Sequence, residues 1–426
     1  MDRLIKARKV LEALRCGSVP AEGTPLISTG LEAIKSVFDL ELKKTIQGES
    51  SYKFIIGNYG SGKTFAASSL KEMAFQRNML VSTLTISQEH PFHKLEEVYK
   101  GLLRRLRLPD QPEISALTIV MEEWLISQEE HICQLYHLDK SKDKDLINEF
   151  MSQRLKDAFH SLGQMDSSFS RAISAYYRAR YQKDDVLANA SLGWIKGEKV
   201  RAETKKFMEV RGEVDRQQVL VFMQAMLKMM KAASYQGWVI LIDEMETILR
   251  LGTKTLRQMA YDNLRYLLDE LMQNRFPGCF FLFTGTPELL NSSLGFSSFT
   301  PLFERVYIEK DRQFPNLRQA LLYIEPWDGA QYMESAKKVL QLHQEAYDWK
   351  AQPEELNALL LRYVEDFLSL KNKGYAIYPR SFLRIWIDVL DKKQLYPDAD
   401  FAGKTLWTEQ LIKKAQETEN QAVYLE

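Results

Sequence analysis

Apolar residues recur along this chain with two different periods, and the change from one to the other divides it. Residues 3–16 and 30–47 carry the three-to-four-residue spacing of amphipathic helices. Short apolar runs of strand length follow, at 52–57 (YKFIIG), 79–86 (MLVSTLTI), 237–243 (GWVILID) and 279–284 (CFFLFT). Their bulky, β-rich text suits buried strands. A helix is expected at 65–77 after the first strand, and another at 255–274 between the last two. Between the second and third runs, residues 93–106, 114–138, 144–162, 170–181 and 217–233 show helical periodicity with almost no strand signal. A short strand is expected at 305–308. Beyond it the pattern is helical again, at 329–343, 353–370, 381–390 and 404–418. No internal repeat, low-complexity tract or Gly/Ser linker interrupts the chain.

This layout predicts an α/β fold. In a compact parallel-sheet fold, strands alternate with single crossover helices. Here the gap between the second and third strands holds room for many helices, and a connection longer than ~15 residues needs structure of its own. The expected organisation is an N-terminal helical segment (1–50), a parallel-sheet core (51–96 and 236–325), a large helical insertion (97–235) and a C-terminal helical part (326–426). The sequence leaves open whether 97–235 is an insertion packed on the core or a separate helical domain.

Composition narrows the class. With 45% hydrophobic and 11% aromatic residues among 426, the chain can bury a large core. Lys and Arg (57) balance Asp and Glu (57), so any anionic partner must be met by a local patch rather than a global field. The cysteines Cys16, Cys133 and Cys279 lie far apart with no Cys-x-x-Cys pair, which argues for a reducing compartment. His131, Cys133 and His137 do not share a helical face and make a poor metal site. No run approaches the ~20 apolar residues of a membrane span, and the charged start is not a secretory signal. A cytoplasmic protein with no membrane association is expected.

The strongest local signal is YKFIIGNYGSGKT. A strand runs into Gly57-x-x-x-x-Gly62-Lys63-Thr64, the spacing of a triphosphate-binding loop. Glycines at 57, 60 and 62 let successive N–H groups turn inward onto phosphate oxygens. Lys63 supplies a point charge for the outer phosphates, and Thr64 a hydroxyl for Mg²⁺. The helix that follows points its positive end at the anion. The candidate nucleotide site is therefore Gly57, Asn58, Tyr59, Gly60, Ser61, Gly62, Lys63, Thr64 and Phe65, with ATP and Mg²⁺ as cofactors. WVILIDEME is the second signal. A buried parallel strand carries functional acids at its C-terminal edge, beside the loop. Asp243 would hold Mg²⁺ and Glu244 would deprotonate the attacking water, as phosphoryl transfer by positioning and electrostatics requires. Glu246 reads as a helix-start charge. In CFFLFTGTPELL the strand ends in small polar groups placed between the two earlier motifs. Thr284, with Thr286 as alternate, is the candidate to sense the terminal phosphate or the water. The competing reading is a strand-to-helix turn with Thr286 as cap and Pro287 at the first helical position.

Two arginines are candidates for phosphate contact, each weighed against a plain solvated charge. Arg305, with Arg312 as rival, would reach a neighbouring subunit's nucleotide. Arg380, opening a helix after Pro379, would reach the phosphates of its own subunit. A basic, aromatic-interleaved stretch over 171–206 contains Arg178, Arg180, Lys183, Lys196 and Lys199 together with Tyr176, Tyr177, Tyr181 and Trp194. It fits nucleic-acid contact by phosphate neutralisation and stacking. A solvated helical face with its aromatics in the core fits it better, since Asp184, Asp185, Glu198 and Glu203 dilute the patch.

The order of these features, phosphate loop, acid-tipped strand, polar-tipped strand, downstream arginine, then helices opened by Pro379-Arg380, resembles the AAA+ ATPases of the origin-recognition-like branch. More specifically, YKFIIGNYGSGKT, Gly193-Trp194-Ile195-x-Gly197-Glu198 and GWVILIDEMETIL after a long helical stretch are similar to the ATP-binding proteins of BREX phage-defence systems, the BrxD-like group. The resemblance to the AAA+ ATPases spans residues 27–95 and 236–395, and the similarity to the BREX proteins adds the 193–198 element. It implies a P-loop AAA+-like sheet core with a C-terminal helical lid carrying Arg380, ATP hydrolysis in a homo-oligomer, and work with DNA and with defence partners such as a helicase. The chain departs from the initiator pattern in having Thr-Gly-Thr where many relatives place an asparagine. It also has too few residues after the lid for a full winged-helix domain. The leading functional expectation is an oligomeric, DNA-associated ATPase in antiviral defence. The alternative is a slow nucleotide-dependent switch that recruits partners.

Overall fold

The structure, a computed structural model, describes residues 2–111, 116–159, 167–306, 316–373, 375, 378–398 and 407. Among these, six strands form one sheet in the order β3-β2-β4-β5-β1-β6. They are β1 (Ser51–Ile56), β2 (Leu80–Thr85), β3 (Leu106–Arg107), β4 (Trp238–Asp243), β5 (Cys279–Gly285) and β6 (Leu321–Tyr323). All pairings are parallel except the short antiparallel β2–β3 edge. The four strong strand signals of the sequence are β1, β2, β4 and β5. The acid-bearing strand β4 is not the direct neighbour of β1, because β5 lies between them.

Period-two alternation sends side chains to two covered faces. Ile55, Val239, Leu241, Phe280 and Leu282 pack under helices α2 (Glu32–Ile46) and α3 (Lys63–Phe75). Phe54, Ile56, Ile240, Phe281 and Phe283 face the other way, where the Phe54 and Phe283 rings stack at 4.7 Å. Such a pair contributes about 0.5–1.5 kcal/mol beyond its buried area. By the same alternation Asp243 and Thr284, at the strand ends, fall on the α3 side.

The long helical region covers the second face. It comprises α4 (Leu95–Arg104), α5 (Leu117–Tyr136), α6 (Lys144–Asp157), α7 (Ser167–Gln182), α8 (Asp185–Ile195), α9 (Ala202–Met208) and α10 (Arg216–Ala232). Its residues Trp124, Phe169, Trp194 and Phe222 belong to the same continuous core as Trp238, Ile240 and Phe281 of the sheet. The Gly193–Glu198 motif is the joint. Helix α8 ends in a Schellman turn, with Glu198 N–H donating to Gly193 O at 2.8 Å and Gly197 N–H to Trp194 O at 2.9 Å, and Gly197 at φ +79°. From α4, Tyr99 OH donates to Ile195 O at 2.9 Å and Arg104 pairs with Glu198 at 3.0 Å.

Residues 1–50 divide between two cores. Helix α1 (Asp2–Arg15) packs with α14 (Gly329–Tyr347), α15 (Pro353–Asn372) and α16 (Pro379–Leu395), whereas α2 covers the sheet. Tyr332, Tyr363, Phe367, Phe382, Trp386 and Trp407 form the aromatic centre of this C-terminal bundle. Helix α11 (Lys254–Met272) follows β4. Of the strand expected at 305–308, residues 307 and 308 lie outside the described residues. Arg305 and Val306 close helix α13 (Thr300–Val306), whose Leu302 and Val306 are buried one turn apart. The edge strand beside β1 is β6, paired with Phe54–Ile56. The Thr286 cap is also not formed. Helix α12 (Glu288–Asn291) starts at Pro287, while Glu246 takes the Thr286 N–H at 3.2 Å. The helix expected at 404–418 lies outside the described residues except for Trp407, and Arg312 lies outside them altogether.

One ionic network ties α1 to the bundle. Arg15 donates to both Asp391 oxygens, at 2.8 and 2.9 Å, and buried His343 meets Asp391 at 2.9 Å. Burial pushes the Asp391 pKa up, but the hydrogen bonds from His343 and Arg15 outweigh it and hold the carboxyl at about 2, below its ordinary 3.8. A depressed carboxyl stabilises the fold fully above the unfolded value and loses that contribution as pH falls through the folded value. The stability gap between wild type and Asp391→Asn should therefore be largest near neutral pH and shrink as pH drops below about 4 towards 2. Thermal unfolding of the two proteins across that range measures it, and a gap independent of pH would show that the charge of Asp391 contributes nothing.

Candidate nucleotide-binding site

The loop after β1 turns at once. Gly57 N–H donates to Gly285 O at 3.1 Å, which ties the start of the loop to the end of β5. Gly60 and Gly62 have φ of +69° and +107°, a region that side chains with a Cβ rarely adopt. Gly62 immediately precedes α3, so the unpaired N–H groups of the first helical turn open towards the loop. Lys63 is buried. Its Nζ donates to Gly57 O at 2.9 Å and Asn58 O at 3.1 Å and lies 5.0 Å from the centre of the Tyr59 ring. Burial lowers the Lys63 pKa, opposed by the charges of Glu246 and Asp243.

The acid strand meets this loop across the tip of β5. Thr64 Oγ1 donates to Asp243 Oδ2 at 3.1 Å, and Thr284 Oγ1 donates to Asp243 Oδ1. Asp243 Oδ1 also accepts the Glu244 N–H at 3.0 Å. Glu244 leaves the strand at φ +62°, ψ +46°. That left-handed conformation costs a non-glycine residue roughly 1–2 kcal/mol, and it turns the acid off the line of β4. Thr64 and Asp243 together present hard oxygen ligands of the type Mg²⁺ takes beside phosphate. Among the described residues no cluster of three or more His, Cys, Asp or Glu side chains is arranged to hold a metal, the 131–137 group included.

The cleft encloses about 1050 Å³ including its open mouth. Tyr59 to Phe65, Asp243, Glu244 and Glu246 form its polar end, and Leu14, Val19, Ile27, Leu31 and Leu383 its apolar wall. Arg380, exposed at the start of α16, reaches into it and has no hydrogen-bond or ion-pair partner among the described residues. Gly17 lies against Arg380 and Arg384, so the segment after α1 and the start of α16 close one side together. None of the residues from 14 to 31 was singled out from sequence. Their position depends on a long-range packing of α1 for which no local pattern exists. Glu246 does stand in the first turn of a helix, the 3-10 turn Met245–Arg250, but it is 4% exposed and lines the cleft, and the acid two places after Glu244 was its only signal.

The other candidates lie elsewhere. Arg305 does not line the cleft. It pairs with Asp269 of α11, through Nε to Oδ1 at 2.5 Å and Nη2 to Oδ2 at 3.3 Å, and it also donates to Pro301 O. In the basic stretch, Tyr176, Tyr177 and Trp194 are buried and present no face for stacking, whereas Tyr181 is exposed. Arg180 pairs with Glu122 at 2.6 Å. Arg178, Lys183 and Lys199 are exposed, and Lys196 is half-buried.

The family model described as BREX system ATP-binding protein BrxC/D matches residues 4–408. The chain belongs to this family. Among curated proteins, none matches it in sequence. The matched span takes in the loop, the acid strand and the bundle that carries Arg380, so membership of an ATP-binding family and the cleft concern the same residues. Among the described residues no helix is long and apolar enough to cross a membrane.

At Gly60 an added Cβ would sit 3.0 Å from Tyr378 Cβ, in addition to the strain of a positive φ. Gly60→Ala should destabilise the protein by about 1–2 kcal/mol and displace the loop from the start of α16. Thermal unfolding with and without ATP should show a lower midpoint and a smaller stabilisation by nucleotide than in wild type.

Proposed function

We propose that this chain is a cytoplasmic P-loop ATPase of AAA+ type that acts in BREX defence and turns over ATP in the cleft between the sheet and the C-terminal bundle. The observation that carries this reading is the Thr64–Asp243 contact, which brings the phosphate-loop helix and the acid strand to one point. The apolar wall takes the base. The loop N–H groups, Lys63 and Arg380 take the phosphates. Thr64 and Asp243 would hold Mg²⁺, which would supply positive charge to offset the charge developing on the phosphates. Glu244 takes the proton of the attacking water, and Thr284, bonded to Asp243, senses the terminal phosphate. Lys63 leaves the carbonyls of Gly57 and Asn58 when a phosphate oxygen offers a stronger, charge-assisted partner.

Lys63→Ala should abolish detectable ATP binding. Glu244→Gln should bind ATP but lose turnover by about 100-fold or more. Equilibrium binding of a fluorescent ATP analogue and phosphate release measure the two effects, and wild-type turnover in Glu244→Gln would remove Glu244 as the base.

Homo-oligomer formation, DNA and a helicase-like partner belong to the same reading. An Arg305 that reaches a neighbour's phosphate must first leave Asp269, so Arg305→Ala should lower turnover only in the assembled protein. The alternative is the slow switch, favoured by the broad helical layer fused to the sheet core. DNA-stimulated hydrolysis supports the ATP-driven machine, and slow, DNA-insensitive hydrolysis supports the switch. If Arg178, Lys183, Lys196 and Lys199 touch phosphates, reversing Arg178 and Lys183 should weaken DNA binding and flatten its salt dependence. An unchanged slope would assign these residues to a solvated face.

A further inference from the structure

Glu246 is the one carboxylate of the cleft to which the reading above gives no task. It lies in the 3-10 turn Met245–Arg250 and is 4% exposed. Its Oε2 accepts the Thr286 N–H at 3.2 Å. Its Oε1, and the equally buried Thr286 Oγ1, have no hydrogen-bond partner among the described residues. Among the carboxylates that act on Lys63, Glu246 acts most strongly, ahead of Asp243 and Glu244. Burial raises the Glu246 pKa, and the Lys63 charge opposes the rise. Tyr59 and Lys63 line the same cleft as Glu246, and the Tyr59 phenol pKa is raised by burial and then by the Glu246 charge. A single buried acid thus shares the cleft and its field with Lys63 and Tyr59 and is bonded to the tip of β5 through Thr286. Two residues before Thr286 stands Thr284, whose hydroxyl donates to Asp243.

We propose that Glu246 is a positioning residue for ATP turnover: it balances Lys63 before the triphosphate arrives, then yields Lys63 to the phosphate and passes that change to the β5 tip. The inference rests on the reading of this cleft as an ATPase site. A terminal phosphate beside Lys63 replaces the Glu246 carboxylate as counter-charge. Repulsion between two like charges in a poorly solvated site then displaces the side chain that can move. Glu246 holds the Thr286 backbone, so the displacement reaches Thr284 and, through it, Asp243. A solvated helix-start charge would do none of this, because it would be neither buried nor bonded to a neighbouring strand.

Glu246→Gln tests the idea, since the amide keeps the shape and an acceptor for Thr286 N–H but removes the charge. ATP affinity should be unchanged or tighter, because a negative group near the triphosphate is gone, while kcat should fall by roughly 10- to 100-fold. Glu246→Asp restores the charge and should recover most of the lost turnover at the same affinity. Wild-type kcat in Glu246→Gln would overturn the proposal. So would a joint loss of ATP affinity and thermal stability in Glu246→Gln with no recovery in Glu246→Asp, since that pattern marks a purely structural group. The parent reading fails separately: wild type that binds no ATP, or binds it without turnover, removes the ATPase assignment and this role together. Turnover in wild type with an indifferent Glu246→Gln removes only this role.

Discussion

The candidate site depends on one contact across a strand. The carboxylate of Asp243 receives Thr64 on one oxygen and Thr284 on the other. Each donor comes from a different element: the helix after β1, and the β5 tip that stands between β1 and β4. That single acid fixes the distance between phosphate loop and acid strand. The sheet makes the contact rigid, because β4 and β5 pair over most of their length in parallel register. Both faces of the sheet are buried, and register is strongly specified where burial fixes which side chains face in.

The rest of the molecule presents and closes this point. The loop begins on a hydrogen bond to β5 and presses Gly60 against Tyr378, just before α16. The apolar wall is shared between the segment after α1 and the start of α16. Arg15, Asp391 and His343 join α1 to the bundle and so tie the two walls together. Phe65 packs against both the sheet core and the bundle core and links the loop helix to each. The helical layer on the far face is fastened by the Gly193–Glu198 turn to α4, next to the sheet edge, at a distance in the chain from the cleft residues.

Belonging to the BREX ATP-binding family gives this arrangement a setting, and the geometry gives it a division of labour. An arginine in the cleft with no partner among the described residues suits an incoming anion. An arginine already bonded to Asp269 and to Pro301 O has to exchange partners before it can serve a neighbour. Arg380 and Arg305, equivalent as charges in the sequence, are therefore different as candidates.

What the sequence determined by itself was local chemistry. The glycines of the loop, Lys63, Thr64, the strand ending in Asp243-Glu244 and the strand ending in Thr284 are all written in contiguous residues. The need for positive φ, or for a buried apolar run, leaves a mark at each position. The four strong strands and most helices followed from period alone. Only tertiary structure decided which strand stands between which, that β6 makes the edge beside β1, and that α1 joins the C-terminal bundle. It also decided that Tyr176, Tyr177 and Trp194 are core and that Glu246 is buried in the cleft that Lys63 also lines. These outcomes turn on contacts between residues far apart in the chain, where burial and charge are set by what packs against a side chain and not by its neighbours in sequence.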